Sequence, residues 1–516
     1  MLYQYEMAEL RYSANPPAGP ESAVDLKAVF HKDGKIWYVK GFYAGNGEYR
    51  VRFLPEETGA YQYEITGIVS DQGEISVEPA LEGRHGPVRT KGIHLYYADG
   101  TPWIGLGTTI YAMLHQEEAL IDRTMETLKN APFTKVRLCL FPKHYNYNHN
   151  EPAHFAFLRN EQGKWDMNHP DYAFWDAFEK RLKELDAMGI QADLILFHPY
   201  DRWGHSSLTQ QQNLLYLDYL IRRFAAYPNV WWSLANEYDL CPAKSMEDWY
   251  EIERFVAEND PYHHLLGNHN CLQPYDPQRK NITHMSWQTK QLSRIPEMQK
   301  KYGKPVLIDE CCYEGTLPET WGSLSGKEMT ARFWRTAAAG GYCTHGETFY
   351  PDEKEIVWWA KGGELKGESP ARIAFLRSVL ESLPGPLCYR PEGLVKMAEL
   401  SEEQIQQLLK APVTQDNLFP VTMARMGKLE MSRFAAMEPC VTGRCGPEET
   451  PDALLWYLDF NCCCRYEIKL PETGSYRVEI LDTWNMTRET VMTGAAGKQE
   501  IHLPGREWMA ILANKE

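Results

Sequence analysis

A (β/α)8 TIM barrel, an α/β fold flanked by N-terminal and C-terminal antiparallel β-sandwich domains, is the architecture this sequence predicts. Three observations carry the prediction. From about residue 95 to 385, short apolar runs alternate with amphipathic helical stretches, the pattern of a parallel sheet. Eight such runs fall in that span, the number that closes a (β/α)8 barrel. On either side the text changes to alternating apolar and polar residues broken by turn signals. The expected domains are 1–85, 90–386 and 387–516.

In the first domain, Ala28-Val29-Phe30, Lys35-Ile36-Trp37-Tyr38-Val39 and Tyr49-Arg50-Val51-Arg52-Phe53-Leu54 read as strands. Asp33-Gly34, Gly45-Asn46-Gly47 and Thr58-Gly59 turn the chain between them, and Glu82-Gly83-Arg84-His85-Gly86-Pro87 marks the boundary. Barrel strands are expected at 102–109, 134–141, 190–197, 230–236, 265–268, 282–287, 305–310 and 341–348. Helices are expected at 117–130, 172–188, 210–226, 246–258, 294–302 and 326–339, with a loop in place of the fifth helix. After Leu383-Pro384-Gly385-Pro386, a short helix at 401–410 precedes strands around 454–458, 466–468 and 476–480.

A chain of 516 residues exceeds one ordinary core. Its 54 basic and 70 acidic residues give a net charge of −16 without a Lys/Arg-rich run, which argues against nucleic acid or an anionic membrane as partner. A neutral carbohydrate fits better, and 16 Trp and 30 Tyr offer flat faces on which sugar rings stack. The first residues carry no basic stretch followed by an apolar one, and no apolar run reaches the ~18 residues of a membrane span. Adjacent cysteines, Cys311-Cys312 and Cys462-Cys463-Cys464, suit a reducing cytoplasm better than disulfide geometry. Cys440, Cys445 and the triple cysteine match no zinc-finger or ribbon spacing, so neither a metal nor a cofactor is expected. Self-association into a homo-oligomer is left open.

Two glutamates end predicted strands: Glu237 in Trp231-Trp232-Ser233-Leu234-Ala235-Asn236-Glu237, and Glu310 in Pro305-Val306-Leu307-Ile308-Asp309-Glu310. A carboxylate at the end of a buried strand is costly unless it has a task or a partner. Two of them suit the paired carboxylates of glycosidic bond hydrolysis. Here the sequence resembles the clan A retaining glycoside hydrolases, in which an Asn-Glu pair ends strand four and a glutamate ends strand seven. The resemblance implies Glu237 as acid/base, Glu310 as nucleophile, Arg137 as a hydrogen-bond donor to that nucleophile, and Asn236 as a ligand of the sugar hydroxyl beside the anomeric carbon. Tyr111, His144, Tyr145, His198, Trp287, His345 and Glu347 lie at other strand ends and are expected to line the sugar site.

Two departures from the clan pattern surround the sugar being cleaved. Strand six reads His284-Met285-Ser286-Trp287, without the tyrosine that touches the nucleophile in many relatives. Strand eight has His345 and Glu347 where many relatives place a tryptophan. The three-domain order also resembles a group of bacterial glycosidases of poorly defined specificity. The expected activity is double displacement on β-linked sugars of short oligosaccharides or glycosides, exo-acting because the segment 142–165 could close one end of the cleft. One rival is a metal-dependent barrel hydrolase using His198, His263, His264, His269, His284 and His345, but strand one, Gly105-Leu106-Gly107-Thr108-Thr109-Ile110, lacks the usual His-x-His. The other is a non-catalytic carbohydrate-binding protein, against which the presence of both glutamates argues.

Overall fold

The computed structural model describes all residues except 352, 436–439, 461 and 506. Two compact units emerge, one comprising 1–289, 302–324 and 344–367, the other 290–301, 325–343 and 368–516.

The eight barrel strands are β1 (Leu106–Thr109), β2 (Lys135–Cys139), β3 (Gln191–Phe197), β4 (Val230–Ala235), β5 (Leu266–Gly267), β6 (Met285–Gln288), β7 (Val306–Glu310) and β8 (Tyr342–His345). They form one sheet in the order β5-β4-β3-β2-β1-β8-β7-β6, the cyclic order of a barrel with its seam between β5 and β6. Every residue of β2, β3, β4 and β7 is buried, which explains their largely apolar texture, and the charged residues among them, Lys135, Arg137, Asp193 and Asp309, are close to one another inside the barrel. Helices α1 (Glu118–Asn130), α2 (Tyr172–Ala187), α3 (Gln210–Phe224), α4 (Met246–Asn259), α5 (Ile295–Tyr302) and α6 (Gly326–Ala338) stand within two residues of their expected bounds. Among the described residues, no helix lies between β5 and β6. Local chemistry starts these helices: Asp171 caps α2, while Thr209 with Gln212 and Ser245 with Asp248 form capping boxes on α3 and α4.

The barrel interior is crowded. A Cβ on Gly107 would lie 2.6 Å from Thr344 Oγ1, and one on Gly267 would lie 2.7 Å from His284 Nε2. Only glycine fits at these two places, whatever the backbone angles.

In the first unit, the N-terminal sandwich packs a five-stranded sheet against a three-stranded one, with Phe30 and Phe53 stacked between them at 4.0 Å. Its one departure from antiparallel pairing is Leu2–Tyr3, which runs parallel to Asp71–Glu78. Arg52, fully buried, joins the sandwich to α2 and α3 through Glu9 at 2.6 Å, Glu179 at 2.7 Å and the Arg223 carbonyl at 2.7 Å. Burying a cation is tolerable there because its donors are all engaged.

The second unit holds α6 and α7 (Ser369–Glu381) with a C-terminal β-domain. That domain has a six-stranded sheet and a two-stranded one around Trp456, Tyr476, Val478 and Ile511. Trp334 of α6 stacks on Tyr457 at 5.8 Å, and Arg335 pairs with Asp459 at 2.8 Å. The helix expected at 401–410 is present as Glu402–Lys410, but Gly393–Ala398, Leu418–Met426 and Lys428–Ala435 are helical as well. Tertiary packing of Ile405, Met423 and Met431 accounts for this helical cluster, which has too short a period to announce itself in sequence. No helix among the described residues is long and apolar enough to cross a membrane.

Candidate active site

Glu237 and Glu310 both end buried strands at the same, C-terminal, face of the barrel, and are 6% and 8% exposed. Glu237 leaves β4 in the left-handed region, with φ 54° and ψ 58°. A side chain there costs about 1–2 kcal/mol and persists only where the surroundings over-determine it. They do so here. The Glu237 amide points at His269 Nδ1 at 3.4 Å, the next amide donates to the His269 carbonyl at 2.9 Å, and Asp239 accepts the amides of Cys271, Leu272 and Gln273 at 2.7–2.8 Å.

Tyr111, following β1, joins the two halves of the site. Its hydroxyl lies 2.7 Å from Asn236 Oδ1 and hydrogen-bonds Glu310 Oε1. Asn236 Nδ2 is in turn 3.4 Å from Glu237 Oε2. The same oxygen accepts from the Tyr200 hydroxyl, and Glu237 Oε1 accepts at 3.2 Å from the Gln288 amide oriented to donate. Tyr313 is buried beside Glu310, whose charge, added to burial, drives its phenol pKa well above 10. Lys143 is enclosed by aromatic rings: its ammonium lies 3.5 Å from the Tyr111 centroid, 4.2 Å from Tyr200, 4.8 Å from Tyr145 and 5.4 Å from Trp359. Burial lowers its pKa against the pull of Cys139 and the two glutamates. The Tyr145 hydroxyl, inside the same cage, has no protein hydrogen-bond partner among the described residues. A sugar hydroxyl or a water would satisfy it.

The electrostatics differ from expectation in one respect. Burial, followed by the like charge of Glu237, pushes the Glu310 carboxyl up to about 7, against Arg137, the Tyr111 hydroxyl and Lys143, which lower it. Arg137 does not hydrogen-bond Glu310. Its Nε sits 3.2 Å from Asp193 and 3.9 Å from Asp309, and no nitrogen of its guanidinium makes a well-aligned hydrogen bond among the described residues. Arg137 therefore acts on Glu310 through charge alone, and Tyr111 supplies the hydrogen bond. Arg137 and Lys135 share the barrel interior with Asp193 and Asp309. Burial alone would raise the Asp309 pKa, but Lys135 at 2.6 Å and Arg137 hold it well below the usual carboxylate range.

Several other expected sugar contacts are engaged elsewhere. His198 Nε2 lies 3.1 Å from the Phe141 carbonyl oxygen, and burial lowers its pKa to about 4. His144 meets His149 at 3.3 Å and Trp203 edge-on. Trp287 is buried within β6, while Gln288, after a bulge, is the residue that reaches Glu237. His345 and Glu347 are fully enclosed near Glu314. The histidines of the metal-hydrolase rival do not converge: His264 bonds Asp260 at 3.0 Å, and His284 bonds Thr283 at 2.9 Å. The cysteines considered for zinc form no three-ligand cluster among the described residues. Tyr200, Lys143, Gln288, Tyr313 and Trp359 belong to the site without having been singled out in the sequence.

Tyr111→Phe tests the bridge. Losing a hydrogen bond to a charged group costs about 1.5–3 kcal/mol, so kcat/KM is expected to fall roughly 10- to 100-fold. The Tyr111 hydroxyl lowers the Glu310 pKa, so its removal must move the basic limb of the pH profile upward. A pH series on an aryl glycoside measures both, and a downward move would contradict the assignment.

Known proteins resemble this chain in sequence and fold. The family described as Apiosidase-like, catalytic domain, matches residues 89–349, with the domains of unknown function DUF5060 at 1–67 and DUF5605 at 444–513. The solved structure of a candidate glycoside hydrolase from Bacteroides vulgatus ATCC 8482 is 30% identical over 100% of this chain and 99% of that one, with a TM-score of 0.84. A glycoside hydrolase family 5 protein from the same organism, 14% identical over 85% of this chain and 94% of its own, shares the fold at a TM-score of 0.61. No curated protein matches. With a matching catalytic domain and a full-length relative at this identity, the chain belongs to the apiosidase-like family of glycoside hydrolases.

Proposed function

We propose that the protein is a retaining exo-β-glycosidase acting on short glycosides, with Glu310 as nucleophile and Glu237 as acid/base. The observation that carries the reading is the run of close polar contacts from Glu310 through the Tyr111 hydroxyl and Asn236 to Glu237. It sets two carboxyls at one barrel mouth with donors to both. Double displacement needs the pair to hold one proton, with the charge on the nucleophile and the proton on the acid. Mutual repulsion of two buried carboxylates keeps that proton near neutrality. Burial and the Glu237 charge raise the Glu310 pKa, and the Arg137 charge and the Tyr111 hydroxyl work against that rise.

In the first step Glu310 attacks the anomeric carbon while Glu237 protonates the departing oxygen; in the second, Glu237 takes a proton from water as it displaces the ester. Exo action is supported by the aromatic wall formed by Tyr145, Tyr147, Trp321, Tyr350 and Trp359 around Tyr111 and Tyr313. The adjacent cysteines keep a reducing cytoplasm as the proposed place of action.

The family's name points to apiose, a branched pentose. An aryl β-apioside therefore stands first in a panel with β-glucoside, β-galactoside and β-mannoside. Turnover of at least one β-substrate, absent in Glu310→Ala, is the expected result; turnover that survives this substitution would overturn the reading. Activity should peak below neutrality and fall as pH rises through about 7, where the pair loses its shared proton. A basic limb well above 8 would contradict the assigned proton.

A further inference from the structure

The loops that follow β7 and β8 pair as a short parallel ladder, Glu314–Gly315 with Glu347–Thr348. Beside that ladder Glu314, His345 and Glu347 come together, with exposures of 2%, 0% and 1%. One ligand atom from each lies within 4.8 Å of the others. Two carboxylates so close and so far from water repel each other strongly unless positive charge joins them.

The histidine points to what that charge is. His345 Nδ1 lies 3.2 Å from Thr108 Oγ1, and its ring stacks on Phe133 at 4.9 Å. Thr108 is itself held by the Trp358 indole at 2.9 Å. These contacts fix the ring with Nε2 3.6 Å from Glu347 Oε1, and this buried nitrogen has no hydrogen-bond partner among the described residues. A ring held at one nitrogen by a second residue, with the other nitrogen aimed at carboxylates, is the posture of a metal-ligating histidine. The carboxylates are held too, since Glu347 accepts the amides of Lys366 at 2.7 Å and Gly367 at 3.0 Å. Gly367 keeps the space open: a Cβ there would lie 2.5 Å from Glu314 Oε2 and 2.6 Å from Glu347 Oε1. Its backbone is outside the left-handed region, so room between the carboxylates, rather than backbone freedom, calls for glycine.

We propose that Glu314, His345 and Glu347 bind a divalent first-row cation, Zn²⁺ or Mn²⁺, which clamps the loops after β7 and β8. One imidazole and two carboxylates suit these ions better than Ca²⁺, which takes six to eight oxygens. Three ligands at about 2.1 Å from one ion stand about 3.4–3.6 Å from one another, so side chains whose ligand atoms lie within 4.8 Å draw together by up to about 1 Å on binding. Glu314 directly follows Tyr313, and the clamp thereby steadies the tyrosine beside Glu310. The ion touches no reacting atom.

The test uses the full chain, purified without chelator and reconstituted with ZnCl2 or MnCl2, with metal measured by mass spectrometry. About one equivalent is expected in the wild type, with binding at least tenfold weaker in Glu347→Gln and in Glu314→Gln. Incubation with EDTA should lower the wild-type Tm by about 3 °C or more, reversibly on adding the ion, and should leave the variants unmoved. Anomalous diffraction from Mn²⁺-soaked crystals should place the ion among the three residues. Failure to retain either ion together with an unchanged Tm overturns the proposal, as does an ion found elsewhere. Should the variants not fold, the wild-type stoichiometry and the anomalous map decide the matter.

Discussion

Glu310→Gln is expected to reduce turnover by at least about 10⁴-fold, or some 5.5 kcal/mol, because no covalent intermediate can form without the carboxylate. In Glu310→Ala, azide should restore part of the rate by entering the vacated face, and the product should be the glycosyl azide of inverted configuration. The same site carries a stability signature. Burial and the Glu237 charge raise the Glu310 pKa to about 7 in the folded protein, above the ordinary carboxylate value. The folded state thus binds more protons than the unfolded one between roughly pH 4.5 and 7, and stability falls as pH rises through that window. The cost at pH 8 is on the order of 3 kcal/mol. Glutamine keeps an oxygen for the Tyr111 hydroxyl and carries no charge, so Glu310→Gln should be more stable than the wild type at pH 8 and nearly equal to it at pH 5. Denaturant melts at the two pH values measure this difference. An unchanged gap between variant and wild type would mean that the carboxyl is not strained in the fold.

Glu237→Ala should divide substrates by their leaving groups. Glycosides with a poor leaving group need protonation in the first step and should lose about 10²–10⁴-fold in kcat/KM, while activated dinitrophenyl glycosides should lose little. With activated substrates the second step becomes limiting, since no base remains to deprotonate water, and azide should accelerate it with retained configuration. The two glutamates are therefore separated by the stereochemistry of their azide products. Equal losses on both substrate classes would assign Glu237 another role, such as holding Tyr200 and Gln288 in place.

The barrel was legible in the sequence because its signal is redundant. Eight apolar runs and six helical repeats agree, and strands such as Gln191–Phe197 are buried on both faces and so are mostly apolar, with Asp193 as an interior exception. The helical cluster at 393–435 was not legible in full, because its short helices depend on one another for burial. At the site, the residues fixed by strand position were found: Glu237, Glu310, Asn236 and Tyr111 all follow directly from strands. Residues placed by irregular backbone were not. The bulge between Trp287 and Gln288 turns the second of these, not the first, toward Glu237, and a shift of one residue reverses the face that a side chain occupies. Tyr200 and Lys143 come from loops whose course has no period to read. Arg137, expected as a hydrogen-bond donor to Glu310, instead lies inside the barrel beside Asp193 and Asp309, which the sequence could not reveal.

The configuration of the first-formed product, followed by ¹H NMR from the earliest minutes of hydrolysis, tests the central claim most directly. An exo-β-glycosidase that works by double displacement through Glu310 must release the β-anomer first, with the α-anomer appearing only at the rate of mutarotation. Immediate release of the α-anomer would mean that water attacks directly, which contradicts the role of Glu310 as nucleophile.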